Sequence, residues 1–175
     1  EYRDKFIIKG GILIAAHVGI SNRSTMDLDV TIKNYPVNTK SLEQAVKEIS
    51  KIDINDNVEF ICREINPIRE DDEYGGFRIS IEAVYDTIIT PLQIDITTGD
   101  VITPKEVMLS YKAIFEDKKI NVLAYNIESV LAEKVETIIR RGSYNTRPRD
   151  FYDIYILSKI KSYNENIFSE ALIKT

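Results

Sequence analysis

One cysteine in 175 residues excludes an internal disulfide framework and any cysteine-rich zinc site. A lone Cys62 fits a reduced setting, and a cytoplasmic location is expected. Histidine is as scarce. With His17 and Cys62 both among apolar neighbours, no serine, cysteine or histidine nucleophile can be assembled into a triad. His17 is read as a packing residue rather than a base or ligand. Long apolar runs are also missing. The longest, from Gly10 to Ile20, is interrupted by His17 and is too short to cross a bilayer, so neither a signal peptide nor a membrane span is expected. Net positive charge is lacking too. A formal charge of −5 means that any nucleic-acid contact must come from a local basic cluster. No repeat, low-complexity tract or flexible linker interrupts the chain.

What is present suits an ordinary globular protein: 43% hydrophobic and 29% charged residues, enough for one domain or a domain with a small appendage. The chain begins at Glu1 rather than Met and ends at Thr175 inside a helical pattern. A fragment of a longer protein, lacking a C-terminal portion, is the expectation.

The most informative stretch is Ser24-Thr25-Met26-Asp27-Leu28-Asp29-Val30-Thr31-Ile32. Read as a strand, it sets Met26, Leu28, Val30 and Ile32 on one face and Asp27, Asp29 and Thr31 on the other. Its two carboxylates then point the same way, roughly 6–7 Å apart along the strand. Like charges that close repel unless water, a base or a cation separates them. A solvated edge strand would carry such acids harmlessly; a hard divalent cation such as Mg²⁺ would use them.

Around this stretch, Lys5–Lys9 reads as a short strand or helix end and Gly10-Gly11 as a turn, with a buried helix over Ile12–Gly19. Paired glycines before a helix suit either a tight turn or close approach of a phosphate to backbone N–H groups. The loop Asn22–Thr25 is polar, and Arg23 could reach a phosphate from it. An amphipathic helix, started by Thr39 or Ser41, should run to Ile52 with Leu42, Ala45, Val46 and Ile49 inward. Val58–Ile65 and Gly76–Tyr85 read as an antiparallel pair around an acidic turn over Asp71–Gly76. Pro91–Thr97 is a further strand, with Leu92, Ile94 and Ile96 on one face and Gln93, Asp95 and Thr97 on the other. If it neighbours the first acidic strand, three carboxylates converge. Val107–Phe115 and Ile120–Tyr125, joined through Glu116 to Lys119, read as another hairpin.

From Ile127 the period becomes helical. Ile127, Leu131, Val135, Ile138 and Ile139 form a stripe, with Asn126 as N-cap and Gly142 as the stop. The change near Asn126 is a soft boundary between a sheet-bearing core, 1–126, and a helical region, 127–175. A last helix from about Arg149 to Lys161 should bury Phe151, Ile154, Tyr155 and Leu157 and carry Asp150 and Asp153 together on another face. From Lys134 to Arg149 the bases Lys134, Arg140, Arg141, Arg147 and Arg149 outnumber the acids Glu136 and, just before the stretch, Glu133, which makes this the local site suited to phosphates.

Three convergent carboxylates could hold two Mg²⁺ ions, one beside an attacking hydroxyl and one on a triphosphate. Lys134 and nearby arginines would neutralise charge on the phosphates.

Four segments together carry a resemblance: Lys9-Gly10-Gly11, Ser24-Thr25-Met26-Asp27-Leu28-Asp29, Ala132-Glu133-Lys134 and Arg147-Pro148-Arg149-Asp150-Phe151-Tyr152-Asp153. In that order, from Lys9 to about Leu157, the chain resembles the AbiEii/AbiGii toxin family of the DNA polymerase β-like nucleotidyltransferase superfamily. The last segment is the most specific. The resemblance implies an α+β nucleotidyltransferase fold, with a mixed or antiparallel sheet flanked by helices and C-terminal helices. It implies an NTP-dependent toxin of a type IV toxin–antitoxin or abortive-infection system, with an AbiEi-like antitoxin as partner and RNA, a tRNA acceptor end, as substrate. Carried over, Asp27, Asp29 and Asp95 would bind two Mg²⁺ ions. Gly10, Gly11, Arg23, Ser24, Thr25 and Lys134 would contact the nucleotide, Asp150 would be the essential acid of the last motif, and Arg141, Arg147 and Arg149 would meet RNA or phosphate. Gly10-Gly11 stands where the superfamily often has Gly-Ser, removing a serine contact to phosphate. Rival readings are a small-molecule or protein nucleotidyltransferase, a nucleotide-binding regulatory module without turnover, and an α/β domain whose acids are all surface residues.

Overall fold

The computed structural model describes residues 2–68, 75–113, 117–160 and 162–175. Residues 71–74 of the expected acidic turn, Ile114, Phe115 and Glu116 of the second hairpin, and Lys161 at the expected end of the last helix lie outside the described residues. In chain order the elements are β1 (Phe6–Lys9), α1 (Gly10–Val18), β2 (Asp27–Ile32), α2 (Thr39–Ile49), β3 (Glu59–Ile68), β4 (Gly76–Tyr85), β5 (Ile88–Thr98), β6 (Val107–Lys112) and β7 (Lys119–Ala124). They are followed by α3 (Ile127–Arg141), a 3₁₀ turn (Gly142–Tyr144), α4 (Pro148–Ile160) and α5 (Glu165–Lys174). The fold is α+β, with mixed strand pairing and helices gathered toward the C-terminus, as the sequence leads one to expect.

Two compact units interleave along the chain. One comprises Glu1–Phe6 and Met26–Gly99, the other Ile7–Thr25 and Asp100–Thr175. α3 begins at Ile127, after its cap Asn126, and the compact units divide at Phe6/Ile7, Thr25/Met26 and Gly99/Asp100.

In the first unit the strands run in the order β3-β4-β5-β2. β3, β4 and β5 form an antiparallel meander, and β2 lies parallel to β5. Alternation along each strand sends Ile79, Ile81, Ile94, Ile96 and Ile32 to one face. There they meet Leu42 and Val46 of α2, with Phe6, Tyr35, Val37, Ile65, Phe77 and Leu92 at the edges. Each fully buried Ile or Leu here stabilises the unit by about 1.5–3 kcal/mol. Asn38, rather than Thr39 or Ser41, caps α2: its side chain accepts from the Ser41 N–H while Ser41 Oγ accepts from the Asn38 N–H. β5 starts at Ile88, three residues before Pro91, because the two-residue turn Asp86-Thr87 ties it to β4 as a tight hairpin. Met26 precedes β2 and is 84% exposed, so the expected apolar face of that strand begins at Leu28.

In the second unit β1 lies parallel to β7, and β7 pairs antiparallel with β6. Its core joins Ile7, Leu13, Ile14 and Val18 to Ala124, Tyr125, Val130, Leu131 and Leu157, with Tyr163 and Phe168 packing on it. α3 is capped as its sequence predicts. The Asn126 side chain accepts from the Ser129 N–H, and Gly142 takes a positive φ of 52° after the last turn. Ile139, assigned to the buried stripe, is 69% exposed, whereas Ser129, Val130, Leu131 and Ala132 are the buried residues of α3. α4 departs further. Phe151 and Tyr155, expected inside, are more than half exposed; the buried positions are Asp150, Asp153 and Leu157. Spacing of i, i+3 and i+7 gives one helical face, so the acids share their face with Leu157 rather than opposing it.

Candidate functional site

In the first unit, pairing carries one polar row across three strands. Arg78 of β4 stands opposite Asp95 of β5, and Asp95 aligns with Asp29 of β2. Aligned partners in neighbouring strands project to the same face. Asp29 and Asp95 are therefore lateral neighbours, on strands about 4.8 Å apart. Asp27, one repeat along β2, aligns with Gln93 and shares that face. This is the face opposite the packed isoleucines. Asp27 is exposed and Asp29 half-buried.

Asp95 has a partner that the sequence reading overlooked. The Arg78 guanidinium donates from Nε to Asp95 Oδ1 and from Nη2 to Oδ2, each at 2.7 Å, a two-pronged fork on one carboxylate. The Asp95 hydrogen bond, then its charge, then those of Asp27 and Asp29, raise the Arg78 pKa above the usual arginine range. A signal was available, since strand alternation over Gly76–Tyr85 sets Arg78 on the side opposite Phe77, Ile79 and Ile81.

Carboxylate oxygens are the hard ligands that Mg²⁺ takes. Among the described residues no group of three His, Cys, Asp or Glu is arranged to hold a metal ion. Mg²⁺, however, commonly uses one or two carboxylates and completes its shell with water and substrate phosphate. Asp27 and Asp29 supply such a pair, so the donor chemistry fits Mg²⁺, while Asp95 is committed to a guanidinium.

The second unit contains a separate charged network. Arg23, expected to reach a phosphate, turns inward: its Nε is 2.8 Å from Asp153 Oδ1 and its Nη1 donates to the Ser24 carbonyl. Lys134 of α3 lies 2.6 Å from Asp150 Oδ1 and 3.2 Å from Asp153 Oδ2. Two buried acids on α4 are thus neutralised by two bases from different segments, the arrangement that buried charges require. Asp150 Oδ2 is buried with no hydrogen-bond partner.

Gly10 opens α1 with a positive φ of 64°. Gly11 is needed for a different reason. A Cβ built there would lie 2.8 Å from Thr25 Oγ1, 3.0 Å from Thr25 Cβ and 3.1 Å from Arg23 Nη2. The close approach at Gly11 is thus made by the chain's own loop. Ser24, next to Thr25, is exposed.

Just before the glycines, Lys9 forms a third cluster. Its ammonium is 2.6 Å from Asp100 and 3.1 Å from Glu133, over the ring of Tyr125, whose hydroxyl donates to Asp100 at 3.0 Å. Burial alone would depress the Lys9 pKa, but Glu133 and Asp100 raise it. Burial pushes the Glu133 carboxyl up, and Lys9 does not fully offset it. Sequence reasoning missed this cluster, for Lys9, Asp100 and Glu133 are too far apart in the chain to share any periodicity.

Of the expected phosphate-contacting arginines, Arg147 and Arg149 are exposed about the start of α4. Arg141 is half-buried, and its Nε is enclosed without a hydrogen-bond partner.

Comparison with known proteins adds the following. The family profile described as nucleotidyl transferase AbiEii toxin, type IV TA system, matches residues 1–175. Among solved structures, JHP933 from Helicobacter pylori aligns with a TM-score of 0.60 at 19% identity, over 95% of this chain and 64% of that one. An antigenic nucleotidyltransferase-like protein from Paracoccidioides brasiliensis aligns at 0.56 and 15% identity, over 96% of this chain and 77% of that one. The antibiotic-resistance factor ANT(2″)-Ia aligns at 0.50 and 13% identity, over 97% and 80%. At such identities the likeness is one of fold. This chain spans less than two thirds of the length of JHP933. No curated protein matches.

Proposed function

Because the chain belongs to the AbiEii nucleotidyl transferase toxin family of type IV toxin–antitoxin systems, we propose that it transfers a nucleotide from an NTP to RNA, at a tRNA acceptor end. The acceptor hydroxyl gives up its proton to water as its oxygen bonds to the α-phosphorus, the bond to pyrophosphate breaks, and pyrophosphate leaves. Asp27 and Asp29 would hold Mg²⁺, which would supply positive charge beside the triphosphate and the attacking oxygen. The observation that supports this reading is the placement of Asp27 and Asp29 one repeat apart on a single face of β2.

Lys134 faces the nucleotide and lends charge to the departing phosphates. Asp150 holds that lysine in place, supported by their 2.6 Å contact. Gly10, Gly11, Ser24 and Thr25 form the turn against which the phosphates lie, and Arg23 stiffens it from below through Asp153. Arg147 and Arg149, exposed in an otherwise acidic protein, take the RNA backbone. Arg141 serves less directly, since its Nε is enclosed. An AbiEi-like antitoxin is the partner that restrains the activity. Among the described residues no helix is long and apolar enough to cross a membrane.

The test is incubation of the protein with total tRNA, Mg²⁺ and each labelled NTP in turn, with Asp29→Ala as control. Label should enter tRNA from one nucleotide and vanish in the control. Label on a small molecule or protein instead, or retained in Asp29→Ala, overturns the assignment.

A further inference from the structure

We propose that Arg78 is a positioning residue, a built-in counter-ion that reserves Asp95 and limits the nucleotide-free site to one divalent cation held by Asp27 and Asp29. The inference rests on the metal reading above and deepens it, because nothing in the family description assigns a role to this arginine.

The geometry carries it. Arg78, Asp95 and Asp29 occupy one lateral row across β4, β5 and β2, so the guanidinium enters the acidic face from the side opposite Asp29. Both prongs of the fork are on Asp95 at 2.7 Å, one on each oxygen. A carboxylate whose two oxygens each accept from a guanidinium has much of its lone-pair capacity committed. The Asp95 side chain is 18% exposed, so water competes weakly for it, while Arg78 at 45% can swing away without unpacking the core.

Charge points the same way. Arg78 sets one positive charge against Asp95, and without it both Asp95 oxygens open to a ligand role. The arginine thus relieves the like-charge repulsion between neighbouring acids when no metal is bound. A second cation can then enter only with the triphosphate, whose own charge competes for the guanidinium.

Mn²⁺ binding, read by electron paramagnetic resonance of the free ion and by calorimetry, tests this without reference to turnover. The full chain should bind one Mn²⁺. Arg78→Gln, which removes one unit charge a few ångströms away, should bind a second ion or tighten the first by about tenfold or more. Arg78→Lys, which keeps the charge, should stay close to the parent. Circular dichroism should report the same fold for all three, as expected for a substitution at a half-exposed strand position. Should Arg78→Gln bind Mn²⁺ no more tightly than the parent, with one ion only, the counter-ion role falls. Two ions bound by the parent chain without nucleotide would also overturn it. Asp27→Asn separates the two readings. Loss of Mn²⁺ in that variant supports the metal site whatever Arg78 does, and unchanged Mn²⁺ removes both the site and the inference built on it.

Discussion

Arg23 and Asp153 are 130 positions apart in the chain, yet Arg23 Nε lies 2.8 Å from Asp153 Oδ1, and the acid is fully buried. Asp153→Asn should therefore destabilise the protein by about 3–5 kcal/mol, the cost of leaving a buried partner uncompensated. Urea unfolding measures it. A shift under 1 kcal/mol, as for an exposed pair, would show that the pair is not what ties this loop to α4.

Lys134 meets the same acid from the other side, and Asp150 as well. Lys134→Met should lower transfer by about 10²-fold or more, on the scale of removing a charge-stabilising donor, and weaken nucleotide binding with it. A variant that folds and transfers at the parent rate would confine Lys134 to a structural role.

Gly11 has no room for a methyl group, with Thr25 Oγ1 at 2.8 Å and Thr25 Cβ at 3.0 Å from where it would sit. Gly11→Ala should cost about 1–3 kcal/mol through overpacking. Adding Thr25→Ala removes the nearest atom and should restore part of that loss in thermal melts. Equal destabilisation with and without Thr25→Ala would locate the strain elsewhere.

Glu133 lends stability a pH dependence of definite sign. Burial holds its carboxyl above the ordinary 4.5, so the folded chain keeps this proton more tightly than the unfolded one. Its favourable contribution is present in acid and is lost as pH rises from about 4.5 through the raised value. Lys9, whose pKa is also raised, stays charged across that window. The unfolding free energy of the parent minus that of Glu133→Gln should fall over this range; a flat difference would show that Glu133 titrates normally.

Arg147 and Arg149 are exposed, so removing their charge should spare stability. Arg147→Gln with Arg149→Gln should weaken tRNA binding and reduce the salt slope by about two, one per lost phosphate contact. Weakened NTP binding with unchanged RNA binding would move these residues to the triphosphate.

Much of this protein was legible in its residues. Strict alternation in Asp27–Ile32 and Gly76–Tyr85 set which side chains share a face, because a strand repeats every two residues whatever lies beside it. Asn126 and Gly142 bounded α3 through capping chemistry local to a few residues. The family resemblance rested on the same short segments. Three things needed the tertiary structure. The alignment of Asp29 with Asp95 depends on which strands are neighbours. The commitment of Asp95 to Arg78 depends on the register of a third strand. The inward face of α4 was misread because apolar residues outnumber acids there, and burial of Asp150 and Asp153 is favourable only once Arg23 and Lys134 arrive from distant parts of the chain. Local rules act within a few residues and are written in order along the chain. Charge compensation acts through space, and folding alone decides which groups meet.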